Sequence, residues 1–329
     1  MKKILILGGT GFVDRHLCEK LTQLQWRVTV PTRREARAKD IQMLPALDVF
    51  EADVHDEATL TRLVAGHDAV VNLVAILHGT EKAFEKTHVE LPRKLARACQ
   101  AAGVRRVVHV SALGADARNP DSAPSMYLRS KGRGEVVLQQ ADLSLTLLRP
   151  SVMFGNGDKF LNTFAKLQNV FPVIPLAAAG AVFQPVWVED VAEAITFCLQ
   201  DDNTHATAGH TFEACGPDVF TLRQLVELAG RVSGVNEGRG RRIIALPQGL
   251  GRAQAALMRL APGEPMLSRD NLDSMSIPNM ASGNLPGLKD LGITPSSLEA
   301  VAPSYLGPAS GGWGLRSNLM LKRKTSGRF

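Results

Sequence analysis

From its first residues the chain sets short, nearly unbroken apolar runs against longer stretches whose apolar positions recur every third or fourth residue. The short runs are Lys3 to Leu7, Arg27 to Pro31, Leu47 to Ala52, Ala69 to Leu73, Arg106 to Ser111 and Ser144 to Leu148. Runs of Val, Ile and Leu without polar alternation predict strands buried on both faces. Between them, Arg15 to Leu24, Glu57 to Val64, Pro92 to Ala102 and Tyr127 to Gln140 carry helical spacing. The alternation predicts an α/β fold, a doubly wound parallel sheet with right-handed crossovers.

After Pro150 the rhythm changes. Residues 151 to 186 are rich in Gly, Pro and Phe, and Val188 to Leu199 reads as one more helix on the same sheet. Shorter helices follow, with turn signals at Gly216-Pro217, Pro262-Gly263 and Pro286-Gly287. They predict a smaller C-terminal α+β lobe on the sheet's C-terminal edge. The expected division is a main domain over 1–202, with 150–186 an excursion bordering a substrate site, a substrate or partner lobe over 203–306, and a basic, poorly ordered tail over 307–329.

Composition narrows the classes. At 329 residues, 45% apolar and 21% charged, the chain is core-forming and not disordered. Its longest apolar stretch, Val170 to Phe183, is broken by Pro172, Pro175 and Gly180 and falls short of the roughly 20 residues a membrane-spanning helix needs. Thirty-eight basic against 32 acidic residues leave a charge of +6. The excess gathers at Arg33, Arg34, Arg37 and Lys39, at Arg239, Arg241 and Arg242, and at Lys322, Arg323, Lys324 and Arg328. Such clusters suit a phosphorylated ligand or an anionic surface, or are simply solvated. Aromatics at 5%, not interleaved with the basic residues, argue against nucleic acid. Cys18, Cys99, Cys198 and Cys215 are far apart and read as buried thiols of a reducing compartment. No His pairing of the HExxH kind occurs, so no metal is expected. Met1-Lys2-Lys3 runs straight into a strand, so the expected location is cytoplasmic, most simply bacterial, at most peripheral to the inner face of a membrane.

Directly after the first strand comes Gly8-Gly9-Thr10-Gly11-Phe12-Val13-Asp14. A strand entering a helix this tightly needs glycine, and the helix N-terminus then stabilises a pyrophosphate. Gly8, Thr10, Gly11, Phe12 and Val13 are the candidate phosphate-binding residues of a dinucleotide site. Asp14 stands where the spacing calls for a third glycine. It is expected to push helix from strand and to set a negative charge near the phosphates. At the end of the second strand, where Asp or Glu would select NAD, the chain has Arg33 and Arg34. Guanidinium groups there suit a 2′-phosphate, which favours NADP over NAD. Asp53 and Val54, after the third strand, would flank the adenine.

Tyr127 and Lys131 lie four residues apart on one helical face. An ammonium beside a phenol is expected to lower the phenol's pKa, fitting it to exchange a proton with a carbonyl or carbinol. A solvated Lys beside a core Tyr would have the same spacing.

With these motifs in order, the chain resembles the extended, epimerase-like branch of the short-chain dehydrogenase/reductases. The likeness rests on the Gly8–Val13 turn, Asp53-Val54, Asn72-Leu73-Val74-Ala75, Val110-Ser111-Ala112, Tyr127 with Lys131, Leu148 to Gly155 and Gln184 to Ala192. Arg33-Arg34, Arg149 to Gly155 and Ser268 to Asn271 are similar to the atypical group that contains the NADPH-binding accessory subunit of respiratory complex I and its bacterial relatives. The resemblance implies cofactor contacts at Leu73, Val74, Ala75, Ser111, Pro150 and Val152. It implies an acid/base role for Tyr127 and a nicotinamide-ribose role for Lys131. Two positions depart from the family: Ala112 and Leu113 stand where a serine positions the substrate oxygen, and His88 stands where a helix supplies Asn.

Two functions are consistent with this reading. One is an NADP(H)-dependent oxidoreductase or epimerase acting on a small apolar or quinone-related molecule. The other is a non-catalytic, cofactor-bound assembly protein that docks on a protein or a membrane surface. A redox-sensing regulatory partner with this fold is disfavoured, since such proteins usually lack the Tyr–Lys pair.

Overall fold

The computed structural model describes residues 1–9, 11–258 and 267–307. Thr10, the Pro262-Gly263 turn and the basic residues from 308 onward lie outside the described residues. The first half runs β1 (Lys3–Leu7), α1 (Phe12–Gln23), β2 (Arg27–Thr32), β3 (Leu47–Glu51), α2 (Glu57–Val64), β4 (Ala69–Asn72), α3 (Glu81–Glu85), α4 (Leu91–Ala102), β5 (Arg106–Val110), α5 (Met126–Gln139) and β6 (Ser144–Pro150). It continues through β7 (Met153–Phe154), α6 (Leu161–Val170), β8 (Val173–Leu176), β9 (Val182–Phe183), β10 (Val186–Trp187), α7 (Val188–Leu199) and α8 (Asp201–Thr207). The last part holds β11 (Thr211–Ala214), β12 (Phe220–Thr221), α9 (Leu222–Val232), β13 (Arg242–Ala245), α10 (Gln248–Met258), α11 (Arg269–Ser274) and α12 (Leu298–Leu306).

Seven parallel strands form the main sheet in the order β11-β6-β5-β4-β1-β2-β3. Successive side chains of a strand point to opposite faces, which explains the unbroken apolar runs. Ile4 and Ile6 pack with Leu17 and Leu21 of α1 and with Val191 and Ile195 of α7. Leu5 and Leu7 pack with Leu60 of α2, Leu95 of α4 and Leu138 of α5 on the other face. The six expected strands are present, and β11, read from sequence as part of the C-terminal lobe, is the seventh, beside β6. Its four residues, Thr211-Phe212-Glu213-Ala214, are too short and too polar to signal a strand by themselves.

Beyond β6 the excursion and the C-terminal residues interlock. β8 pairs with β13, β9 with β12 and β7 with β10. A third core joins Phe154, Leu161, Ile174 and Phe183 to Leu225, Leu228 and Ala302. Among the described residues no helix is long and apolar enough to cross a membrane.

Candidate functional site

Strand order reverses between β1 and β4, where the chain leaves toward helices on opposite faces of the sheet. A crevice at the C-terminal ends of these strands is where open α/β sheets bind ligands. Gly8 ends β1 here with φ +95°, and a Cβ on it would lie 2.9 Å from both Leu73 C and Val74 N. Glycine is therefore needed twice over, for the turn and for the approach of the loop after β4. Gly11 N-caps α1, so Phe12 and Val13 present backbone amides at the head of a 12-residue helix. Leu73 and Val74 are half-buried and Ala75 exposed along the same rim.

Asp14 behaves differently from its sequence expectation. It is 2% exposed, and its Oδ2 accepts the Gly11 N–H at 2.7 Å, tying the third helical residue back to the N-cap. The helix is not held off the sheet by this side chain, because the carboxyl turns back along the helix while Val13, Leu17 and Cys18 complete the core. Oδ1 is buried without a partner among the described residues. Burial pushes the Asp14 carboxyl up to about 8, against the pull of the backbone amides of Gly11 and Asp14 itself. Near neutrality Asp14 is therefore a neutral acid, and the charge expected beside the phosphates is absent there.

At the end of β2, Arg33 and Arg34 are exposed. Thr32 Oγ1 shapes the turn, accepting the Arg34 N–H at 3.4 Å. The exposed Asp53 accepts the His55 N–H at 2.9 Å, and Val54 is buried. Arg33 is close enough to His55 to help depress its pKa, which burial lowers first. The arginines and the Asp53-Val54 segment thus flank one end of the crevice.

The other end is built on α5. Ser125 caps this helix by accepting the Leu128 N–H at 3.2 Å. Asp270, just inside α11, accepts the Met126 N–H at 2.7 Å and the Tyr127 N–H at 3.1 Å. Lys131 is 2% exposed, and its Nζ donates to Val110 O at 3.1 Å. Burial lowers it to about 8, partly opposed by Glu135. Glu135, fully buried, takes Arg149 Nε at 2.9 Å and Nη2 at 2.5 Å. Ser111 Oγ, next along the chain from Val110, is buried with no partner among the described residues.

Tyr127 does not show the expected depression. Its ring lies edge-on to His88 and Phe84, with centroids 5.6 and 6.2 Å away, and burial pushes the phenol above its usual value. The desolvation of the phenolate outweighs any help from an ammonium that is itself desolvated.

His88, noted from sequence only as a departure, organises this end. It sits in a π-turn, Lys86–Glu90, that leads into α4. Its Nε2 accepts the Ile76 N–H at 3.1 Å, so in the neutral ring Nδ1 carries the proton and donates to Ser130 Oγ at 2.8 Å. Ser130 in turn donates to the Tyr127 carbonyl at 2.8 Å. Burial, then Lys131 and His109, lower His88 to about 2, so it serves as a neutral strut. Gly134 on α5 admits the π-turn, since a Cβ there would lie 2.0 Å from His88 O. Similarly, Asn72 donates to His109 Nδ1 at 3.0 Å while its Oδ1 accepts the Val74 N–H at 3.2 Å, fixing the loop after β4.

Pro150 is buried and Val152 half-buried beside this end. Asn279 holds the segment, its Oδ1 accepting Ser151 Oγ at 2.7 Å and the Val152 N–H at 2.9 Å. Sequence reading missed Asp270 and Asn279 as supports, because their partners lie over a hundred residues away; the Ser268–Asn271 segment was the one signal. Away from the crevice, His16, Glu19 and Glu189 bring possible ligand atoms within 4.8 Å of one another. Arg15 pairs with Glu19 and Lys20 with Glu189, so this trio already has its countercharge and does not define a metal centre.

These features define a dinucleotide-binding α/β protein, and comparison agrees. The model of the NAD(P)H-binding family matches residues 8–202, and the chain belongs to that family. It is 32% identical over 303 residues to the mouse mitochondrial NADH dehydrogenase [ubiquinone] 1 alpha subcomplex subunit 9, covering 89% of this chain and 77% of that one. It is 30% identical over 200 residues to ceramide reductase of Caulobacter vibrioides, covering 59% of this chain and 60% of that one. The fold is that of the Escherichia coli NADPH-dependent quinone oxidoreductase QOR2 complexed with NADPH, with a TM-score of 0.71, 20% identity, and coverage of 92% and 99% of the two chains.

Proposed function

We propose that the chain binds NADP(H) across the β1/β4 crevice and is built as an oxidoreductase for an apolar or quinone-related carbonyl compound. The observation that carries the reading is the pair of unsatisfied groups at the nicotinamide end. Among the described residues, Ser111 Oγ is buried without a partner, and Lys131 Nζ, with three N–H groups, has one acceptor, Val110 O. Buried polar groups left this way call for a ligand rich in hydroxyls, such as a ribose. The amides of Phe12 and Val13 would hold the pyrophosphate, and Arg33 and Arg34 the 2′-phosphate. Asp53 and Val54 would flank the adenine, and Leu73, Val74, Ala75, Pro150 and Val152 would line the rest. When bound, the nicotinamide supplies or accepts hydride.

The chain's own part is proton transfer and exclusion of water. Tyr127, held by Asp270 at its amide and by Ser130 at its carbonyl, would hold the proton that a substrate oxygen receives. Lys131, buried below it on the next turn, would fix the ribose and lower the cost of the phenolate once a ligand orders both. The names of the ceramide reductase and the quinone oxidoreductase support an apolar substrate, as do the apolar residues of the third core beside Val152. The test is NADPH oxidation with quinone and long-chain ketone acceptors. Turnover by wild type and its loss in Tyr127→Phe, with NADPH affinity kept, is the expected result.

A second reading is a cofactor-bound assembly protein in a respiratory complex. Ala112 and Leu113, both buried, and the raised phenol of Tyr127 favour it, as does the likeness to the mouse subunit. Bound NADP(H) would then stabilise the fold by mass action. NADPH binding that raises the melting temperature without turnover on any acceptor would select this reading.

A further inference from the structure

Five of the large apolar side chains exposed by a third or more of their surface come from one place. They are Val170 at 72%, Phe171 at 50%, Val173 at 36%, Ile244 at 45% and Leu250 at 59%. α6 ends at Val170, and Phe171 and Pro172 lead into β8. β8 pairs in parallel with β13, setting Val173 against Arg242 and Pro175 against Ile244. Gln254 of α10 donates to Pro175 O at 3.3 Å, which brings the helix carrying Leu250 alongside. This small ribbon has two faces. Ile174, Leu176 and Ile243 point into the third core, and the residues between them point outward.

The fringe of the outward face is basic. Lys166, Arg239 and Arg242 are exposed, and none has a carboxylate within ion-pair distance among the described residues. Two exposed acids accompany them: Glu237, in the turn before Arg239, and Glu227, which pairs with the Arg223 whose guanidinium donates to Ile243 O. We infer that this face rests on an anionic phospholipid bilayer. A bilayer surface takes up both parts of it, with the apolar side chains in the acyl boundary and the cations at the phosphates. A second copy of the chain does not fit as well. A two-fold contact through one patch sets it against itself, and here that would bring like charges together. The inference does not depend on catalysis at Tyr127.

The test is flotation of the full chain with vesicles of phosphatidylcholine alone and of phosphatidylcholine with one third phosphatidylglycerol, at low and high salt. Four proteins are compared: wild type, Phe171→Glu with Ile244→Glu, Arg239→Gln with Arg242→Gln, and Val219→Glu as a control exposed elsewhere, just before β12. Far-UV circular dichroism and urea midpoints check folding. Wild type and Val219→Glu are expected on the anionic vesicles, with binding weakened by salt. Each double variant is expected to lose roughly tenfold or more in partitioning. No binding by wild type would overturn the inference. So would wild-type binding by both double variants, which would assign the affinity to another basic segment such as Lys322 to Lys324. A concentration-dependent dimer that Phe171→Glu with Ile244→Glu abolishes, with no vesicle binding, would give the face to a second copy.

Discussion

Replacing Asp14 by Asn tests whether the residue at the third-glycine position is a neutral acid. Asn keeps a carbonyl oxygen for the Gly11 N–H and removes the titration. The Asp14 carboxyl rises from 3.8 to about 8 on folding, so between these values the folded chain holds a proton that the unfolded chain has lost. Its contribution to stability is full below the lower value, falls as pH rises, and is flat above the upper one. Each pH unit inside the window is worth about 1.4 kcal/mol, and integration from pH 7 to pH 9 gives about 1.4 kcal/mol in all. Lys131, lowered from 10.5 to about 8, works the other way, adding stability as pH rises through the same range. The buried thiols of Cys18, Cys99, Cys198 and Cys215, raised by burial, lower stability as pH nears 9, so the quantity to follow is the difference between the two proteins. His88 and His109, both depressed, act below about pH 6.5 and stay out of the window. In urea unfolding of the nucleotide-free proteins at pH 7, 8 and 9, the advantage of Asp14→Asn over wild type should widen by about 1.4 kcal/mol. A constant difference would show that Asp14 is already ionised at pH 7 and would refute the account of its burial.

Other changes have defined outcomes. Gly8→Ala places a Cβ 2.9 Å from the backbone after β4 at φ +95°, and should cost about 1–2 kcal/mol in strain alone while abolishing nucleotide binding, both read from NADPH titration and melting. Glu135→Ala leaves the Arg149 guanidinium, 13% exposed, without its carboxylate, and should cost about 3–5 kcal/mol in urea unfolding. Replacing both partners by Leu and Met should recover most of that loss. His88→Ala strands the Ile76 N–H and should cost about 1–3 kcal/mol at pH 7. Because His88 is held at about 2 when folded, its stabilisation fades as pH falls through 6.5, and the deficit should shrink by roughly 1.9 kcal/mol between pH 7 and pH 5.

The strands were legible because burial on both faces leaves an unbroken apolar run, as in Ile4-Leu5-Ile6-Leu7. The glycine turn was legible because its constraint is local, one φ and one close approach at Gly8. What could not be read depends on partners distant in sequence. β11 needs the edge of β6 to be a strand, and Asp270 caps α5 from the far end of the chain. The π-turn at His88 shares its apolar pattern with an ordinary helix start, so spacing alone does not reveal it. The Tyr127 phenol moved against the sequence expectation, up instead of down, because burial depth, which spacing does not encode, dominates there.

In the proposed dinucleotide site, Arg33 and Arg34 would read the 2′-phosphate. Fluorescence titration of wild type and of Arg33→Ala with Arg34→Ala, using NADPH and NADH, tests it most directly. Wild type should prefer NADPH, and the double variant should bind the two nucleotides alike, with NADH affinity unchanged. Wild type that binds neither nucleotide, or that prefers NADH, would contradict it.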